Sequence, residues 1–298
     1  MKIKFRNFTP YKDSSKVSEF LCKTYPPSDR NPNWHRARWE YMVYAIHDGI
    51  EENLSPIGLW ETDQKIVGMV NFESQLGEAY FHTDPAFAYL KKEMLHFAET
   101  QLGNTENGTT QLTLFVNEFD QELERLAETA GYKKMDEHPQ VTARLNLIEN
   151  SCYYELPEGF QITDRRKNND LWKINRVLWR GFNHEGSPPE KYIAGRANVE
   201  KAPLFRKNLV TMVEDPDGNF VSYCGLWYEE ATKVAYVEPV ATDPDYRRMG
   251  LGKAAVLESL KRAKKLGATR AIVISGQQFY QALGFQKLFS YYPWRRSW

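Results

Sequence analysis

The sequence predicts a mixed α/β protein built from two copies of one unit, and three observations support this fold class. The chain has 298 residues, enough for about two domains of ordinary size. Pro157 and Gly159 interrupt the chain between two strand-like runs, which indicates a linker. Two short motifs also recur in the same order in both halves. We therefore expect one domain at 1–150 and a second at 151–298.

The recurring motifs lie at nearly constant offsets. Thr83–Phe87 matches Thr242–Tyr246 at an offset of 159 residues, and Ala130–Met135 matches Leu283–Leu288 at an offset of 153. The first motif of each half follows a predicted strand and precedes a predicted helix. Repetition of this kind indicates two copies of one α/β unit.

Apolar periodicity and turn residues predict the elements of the second half, and the first half reads in the same order. These are strands at 209–214, 219–228 and 233–242, a helix that ends at Gly267, a strand at 269–275, a short helix at 277–283 and final strands. Asp215–Gly218 is a strong turn signal between the first two strands. Pro239 cannot donate a hydrogen bond to a neighbouring strand, so it implies an edge, a bulge or a separation.

Charge and cysteine content limit the classes of function. The formal net charge is zero, which disfavours nucleic acid as a partner. Residues 1–150 carry a net charge of −7 and residues 151–298 a net charge of +7, so the second half is the better host for an anionic ligand. Cys22, Cys152 and Cys224 have no spacing typical of a metal site or a disulfide framework. Without a predicted signal peptide or membrane span, a cytoplasmic protein is expected.

A glycine-containing segment, Arg247–Lys253 (RRMGLGK), leads directly into the predicted helix of the second half. Gly250 and Gly252 allow the backbone to approach a ligand, and the N-terminus of a helix favours phosphate. The three cationic side chains of the segment add charge of the right sign. The pattern is neither a Walker loop nor a dinucleotide fingerprint, and by itself it is more typical of a tight turn into a helix than of a phosphate site.

The surrounding sequence resembles the GNAT superfamily of acyl-CoA-dependent N-acyltransferases. The resemblance is carried by the strand end Val240–Tyr246, the loop Arg247–Gly252 and the later Tyr280–Phe285 (YQALGF). It is specific over about 233–289 and extends over 159–298. It implies two tandem GNAT-like domains, each a mixed, mostly antiparallel sheet flanked by helices, with acetyl-CoA as co-substrate and no metal.

The resemblance also implies roles for individual residues. The implied cofactor-binding residues are Val240, Ala241 and Thr242 on the strand and Arg247, Arg248, Met249, Gly250, Leu251, Gly252 and Lys253 in the loop. Tyr280 is the implied acid that protonates the leaving thiolate; a core tyrosine is the alternative. The loop Ser275–Phe279 is shorter than is usual in the family, so the side chain that orders the following helix is not implied.

A base is also expected, because an alkylamine with a pKa of ~10 is mostly protonated at neutral pH and cannot attack a thioester. Glu238 lies near the predicted separation of the strand and is the best-placed carboxylate, acting directly or through water. A solvated carboxylate on a strand face is the alternative interpretation.

The first half lacks these residues at the matching positions. Ala88, Lys91 and Glu93 stand opposite Arg247, Gly250 and Gly252, and Ala127 stands opposite Tyr280. A glutamate would place negative charge where phosphate is expected. The first half is therefore interpreted as a degenerate GNAT-like copy that supports the fold and the acceptor site.

The leading hypothesis is an N-acetyltransferase that acts on a primary amine of a small-molecule or peptide acceptor, as a monomer or homodimer. The alternative is a non-catalytic acyl-CoA-binding or sensing protein. Weaker candidates have simpler interpretations: His184 and Glu185 as a surface loop, Lys261–Lys265 as a solvated helix end, and Cys224 as a small buried side chain. The aromatic residues around Trp34 and Trp39 are interpreted as core.

Overall fold

The computed structural model describes residues 2–25, 33–47, 49–63 and 65–298, and its contacts divide the chain into two units. Unit 1 comprises Met1–Ala143, Ile274–Gly276 and Lys287–Trp298, whereas unit 2 comprises Arg144–Val273 and Gln277–Gln286. The last residues of the chain therefore belong to unit 1.

Strands and helices follow one another from the start of the chain through unit 1. They are β1 (Lys4–Asn7), α1 (Ser14–Thr24), α2 (Arg36–Tyr41), β2 (Gly58–Thr62), β3 (Lys65–Asn71), β4 (Glu78–Thr83), α3 (Lys91–Gln101), β5 (Asn104–Glu106), β6 (Thr109–Asn117), α4 (Gln121–Thr129), β7 (Lys133–Lys134) and β8 (Gln140–Asn146).

Unit 2 contains β9 (Gln161–Asp164), α5 (Leu171–Gly181), α6 (Lys191–Asn198), β10 (Thr211–Glu214), β11 (Phe220–Glu229), β12 (Val234–Thr242), α7 (Leu251–Lys265), β13 (Arg270–Ile274) and α8 (Gln278–Ala282). The final strand, β14 (Gln286–Ser297), pairs antiparallel with β6 of unit 1. The elements predicted for the second half are confirmed to within about two residues at each end.

Each unit has a mixed, mostly antiparallel sheet, as predicted. In unit 1 the strand order runs β1-β2-β3-β4-β6-β14, and only β4 and β6 are parallel among the pairs described. In unit 2 the order runs β13-β12-β11-β10-β9, and β12 and β13 are the parallel pair. The parallel pair occupies the same place in the order of elements of both units.

The recurring motifs form the same local structures in both units. Asp84 accepts a hydrogen bond from the N–H of Ala86 at 3.0 Å, and Asp243 accepts one from Asp245 at 3.1 Å, so each begins a short 3₁₀ turn after a strand. Gly131 and Gly284 have φ values of +86° and +95°, the left-handed conformation in which glycine commonly ends a helix. The motif match therefore reflects shared backbone structure.

Aromatic and aliphatic side chains form a separate core in each unit. Trp34, Trp39 and Met42 are buried in the core of unit 1, together with Tyr291 and Trp294 from β14. A stripe of α7 is buried in unit 2, comprising Val256, Leu257, Leu260 and Ala263. The interpretation of the aromatic residues around Trp34 and Trp39 as core is confirmed. Burial of the apolar stripe fixes which face of α7 points into the core of unit 2.

Candidate active site

The site begins where β12 separates from β13. These strands pair only from Val234 to Tyr236, opposite Arg270 to Ile272, and β12 continues beyond this point. The register between β11 and β12 shifts at Glu238–Pro239. A Cβ at Gly225 on β11 would lie 2.4 Å from the Glu238 carbonyl oxygen, so only glycine fits opposite this bulge. The predicted bulge and strand separation are both confirmed.

A cleft of about 890 Å³ opens beside this free part of β12. Its lining combines one strand end, one loop with the start of a helix, and one short helix. The lining residues are Gly181, Phe182 and Asn183; Val240, Ala241 and Thr242; Tyr246, Arg247, Arg248, Gly250, Leu251, Gly252 and Lys253; and Gln277, Gln278, Phe279, Tyr280, Ala282 and Leu283. Most of the predicted site residues are thus brought to one cavity.

The glycine loop presents free backbone donors to this cleft. Arg248 and Gly250 have φ values of +67° and +80°, which turn the chain sharply before α7. The first intrahelical bond runs from Ala254 N–H to the Gly250 carbonyl at 3.0 Å, and no side chain caps the helix. The amides of the first turn therefore lack helical acceptors, and this end of α7 favours an anion.

Close packing explains the second glycine of the loop. A Cβ at Gly252 would lie 2.9 Å from Thr242 Oγ1 and 3.5 Å from the Phe279 ring. A larger residue would push the start of α7 away from the end of β12. Gly252 therefore sets the distance between the helix terminus and the strand that share the cleft.

The segment after α5 forms a wall of the cleft that the sequence analysis did not identify. A Cβ at Gly181 would lie 2.6 Å from the Ala241 Cβ, so α5 crosses β12 at close range. Arg180 binds the fully buried Asp243 carboxylate, with Nη2–Oδ1 at 2.9 Å, and also Asp245 at 2.6 Å. In the sequence, the only signal for this ion pair is the Asp243-Pro244 dipeptide that follows the strand.

The Asp243 carboxylate stays ionised in this setting. Burial by itself would raise its pKa, but hydrogen bonds from Arg180 and from the Asp245 amide lower the pKa below its ordinary value. The ion pair therefore fastens the C-terminal end of α5 to the turn that precedes the glycine loop.

Tyr280 lies on α8 and reaches the same cleft. Its side chain is 8% exposed and packs edge-on against the rings of Phe279 and Phe285, with centroids 5.0 and 5.7 Å away. Burial raises the pKa of Tyr280 far above its ordinary value, and the charge of Glu238 raises it further. The hydroxyl therefore stays protonated at neutral pH and can donate a hydrogen bond into the cleft.

Glu238 and Met249 are predicted site residues that do not line the cleft. Glu238 is half-buried at the bulge, and its carbonyl accepts a hydrogen bond from Trp227 Nε1 at 2.9 Å. Its carboxylate is close enough to raise the pKa of both Tyr280 and Cys224. Met249 is 41% exposed. The cleft thus contains the predicted acid but not the predicted base.

The matching positions in unit 1 are used for internal contacts. Lys91 is buried and donates to Asp120 at 2.6 Å, and Glu93 accepts a hydrogen bond from Trp60 at 2.8 Å. Ala127, opposite Tyr280, is fully buried. The polar groups at these positions are therefore committed to contacts within the unit.

Two weaker candidates from the sequence, Cys224 and His184, do not line the cleft. Cys224 is fully buried, and burial raises the pKa of its thiol to about 12, so its interpretation as a buried side chain is confirmed. His184 stacks on Trp179, with ring centroids 4.3 Å apart, outside the cleft lining.

Within the described ranges, no three His, Cys, Asp or Glu side chains group closely enough to hold a metal ion. No helix among these residues is both long and apolar enough to cross a bilayer.

Comparisons with known proteins agree with this architecture. The chain resembles a GCN5-related N-acetyltransferase from Sphaerobacter thermophilus (TM-score 0.64, 14% identity, 99% of this chain and 95% of that one). It also resembles a tandem GNAT protein from the clavulanic acid biosynthesis pathway (TM-score 0.64, 11% identity, 99% and 98%). The fold is therefore that of GNAT proteins, including a tandem one.

Sequence comparison places the family in the second half of the chain. Residues 170–285 match the model of the acetyltransferase (GNAT) family. A glucosamine 6-phosphate N-acetyltransferase from Trypanosoma brucei brucei is 31% identical over 91 residues. That match covers 27% of this chain and 62% of the relative's length. Unit 2 thus contains a GNAT-family domain, which confirms the family that the motifs indicated.

Proposed function

We propose that the protein is an acetyl-CoA-dependent N-acetyltransferase whose active site is the cleft of unit 2. One observation carries the proposal: a free strand end, an uncapped helix terminus with a glycine loop, and a buried tyrosine hydroxyl all line one cavity. Each of these groups suits a different part of an acyl-CoA thioester. The cavity of about 890 Å³ has the size of a cofactor site.

The coenzyme would bind along two elements. The free edge of β12 at Val240–Thr242 offers backbone groups to the amides of the pantetheine arm. The diphosphate would lie on the free amides at the start of α7, where the exposed cations Arg248 and Lys253 add favourable charge. This arrangement would bring the thioester toward the bulge and Tyr280.

The chemical step is a direct displacement at the thioester. The nitrogen of a neutral primary amine forms a bond to the carbonyl carbon, and the carbon–sulfur bond breaks to release the coenzyme as a thiolate. The Tyr280 hydroxyl would donate a hydrogen bond, and then the proton, to that sulfur. Because a tyrosine with a strongly raised pKa is a weak acid, its main contribution is to stabilise the charge that develops on sulfur.

The nitrogen must lose a proton in the same reaction. We propose Glu238 for this role, because its charge influences the Tyr280 hydroxyl. It would act through water, because its side chain does not line the cleft directly. Glu238→Gln should therefore lower the rate most at low pH, where the amine is most protonated. A rate profile equal to that of the native enzyme from pH 6 to 9 would assign proton removal to solvent.

The proposed acceptor is a small molecule or peptide with a primary amine. The T. brucei brucei relative is named for glucosamine 6-phosphate, so that amine is the first to test, followed by a panel of alkylamines and peptides. Unit 1 is proposed to be a degenerate copy, because Lys91 and Glu93 are engaged where the diphosphate would bind.

The experiment is thiol release from acetyl-CoA, measured with and without each amine, combined with calorimetry for coenzyme A binding. We expect one coenzyme site per chain and acceptor-dependent thiol release. Binding without turnover on any amine would favour the sensing alternative. No binding would refute the assignment of the cleft.

A further inference from the structure

Oxygen acceptors of the chain itself hold the Arg247 side chain. Its Nε donates to the carbonyl of Thr242 at 3.2 Å, and its Nη2 donates to the carbonyl of Gly181 at 2.9 Å and to Oδ1 of Asn183 at 2.8 Å. The guanidinium therefore connects the end of β12 with the segment that follows α5. Lys253, on the same cleft, has an exposed side chain and none of these contacts.

Asn183 lies at a backbone position where glycine is the more common residue. It follows α5 with a φ of +61°, and the next amide, that of His184, bonds back to the Trp179 carbonyl at 3.2 Å. Glycine is the usual residue at such a left-handed helix end, and asparagine is the second choice. Asparagine, unlike glycine, supplies the Oδ1 acceptor that Arg247 uses.

The residue before Asn183 is part of the cleft wall. Phe182 lines the cavity and is 48% exposed, so a large apolar ring faces the space proposed for the coenzyme. Because Arg247 binds the residues on both sides of Phe182, it fixes where this ring stands relative to the glycine loop.

We infer that Arg247 is a positioning residue: it holds the Gly181–Asn183 wall against the glycine loop and does not itself bind the diphosphate. The inference rests on the proposed function, because it concerns the same cleft. Contact with the diphosphate is then left to the free amides of α7 and to Arg248 and Lys253.

The test measures coenzyme A affinity by calorimetry in the full-length protein. Arg247→Ala removes the guanidinium, whereas Asn183→Gly keeps the left-handed backbone, changes no charge and removes only the acceptor. Asn183→Gly removes one charge-assisted hydrogen bond and should weaken binding about tenfold, whereas Arg247→Ala removes all three contacts and should weaken it at least as much. The double variant should bind no more weakly than Arg247→Ala, because that variant already lacks the contact with Asn183.

Two further variants separate positioning from direct contact. Arg247→Lys keeps the charge but cannot reproduce the three hydrogen bonds, so it should bind as weakly as Arg247→Ala. Lys253→Gln is the matched control, and its loss should add to that of Asn183→Gly. Native affinity in Asn183→Gly, or full rescue by Arg247→Lys, would overturn the inference and make Arg247 a diphosphate ligand.

An unfolding experiment without ligand keeps this inference separate from the proposed function. A double-mutant cycle in urea should give a coupling between Arg247 and Asn183 in the coenzyme-free protein. If the native protein does not bind coenzyme A, the proposed function fails while the coupling can still be measured. Absence of coupling would refute the positioning contact.

Discussion

Tyr280→Phe is the substitution that best isolates the proposed chemistry. It removes one hydroxyl and keeps the ring, so the edge-on contacts with Phe279 and Phe285 remain. A positioned acid contributes about 10²- to 10⁴-fold to a rate. Because burial strongly raises the pKa of Tyr280 and makes it a weak acid, we expect the low end of this range, about 100-fold, or about 2.7 kcal/mol in the barrier.

The assay compares turnover with binding. Coenzyme A affinity, measured by calorimetry, should stay within about twofold of native, because the hydroxyl acts on charge that develops only in the transition state. The turnover number should fall by the full factor of about 100. Native turnover in the phenylalanine variant would refute the role of Tyr280, and an equal fall in affinity and rate would show that the hydroxyl only shapes the cleft.

The same residue makes a prediction for pH. Burial raises the pKa of Tyr280 far above its ordinary value of ~10, so native turnover should show no loss from its ionisation up to about pH 9. A group with a raised folded pKa contributes stability below its unfolded pKa and loses that contribution as pH rises further. Raising the pH above about 10 should therefore lower the urea unfolding free energy of the native protein more than that of Tyr280→Phe.

Three other perturbations test the site and the fold. Gly250→Glu places a side chain at a φ of +80° and an anion on the diphosphate path, so calorimetry should show at least about a tenfold loss of coenzyme A affinity with an unchanged circular dichroism spectrum; native affinity would contradict the phosphate assignment. Asp243→Ala leaves Arg180 without its buried partner and should lower the urea unfolding free energy by about 2 kcal/mol. Because the pKa of Asp243 is lowered in the folded protein, this difference in stability between the native protein and the variant should shrink as the pH drops below about 4. Deleting 287–298 removes β14, one of the strands paired with β6, so thermal unfolding should show loss of unit 1. An unchanged transition would contradict the sheet assignment.

Local sequence determined the elements and much of the site. Alternation, helical periodicity and turn residues act over a few positions, so β10 to β13 and α7 were predictable along the chain. The structural roles of the loop glycines and of Pro239 were also predictable from local sequence, because each residue restricts or frees its own backbone. The proposed acid, Tyr280, was predicted from the family resemblance, through its place ahead of Gly284 and Phe285.

Only the tertiary structure decided which distant groups meet. The Arg180–Asp243 ion pair and the Arg247 contacts with Gly181 and Asn183 join residues 63 to 66 positions apart. Nothing in either local sequence specifies the partner. Glu238 was predicted from its place near the strand separation, but the bulge shifts the register there, and its side chain lies outside the cleft lining. The placement of β14 in unit 1 likewise depends on pairing with β6, because a strand's sequence encodes its faces but not its neighbour.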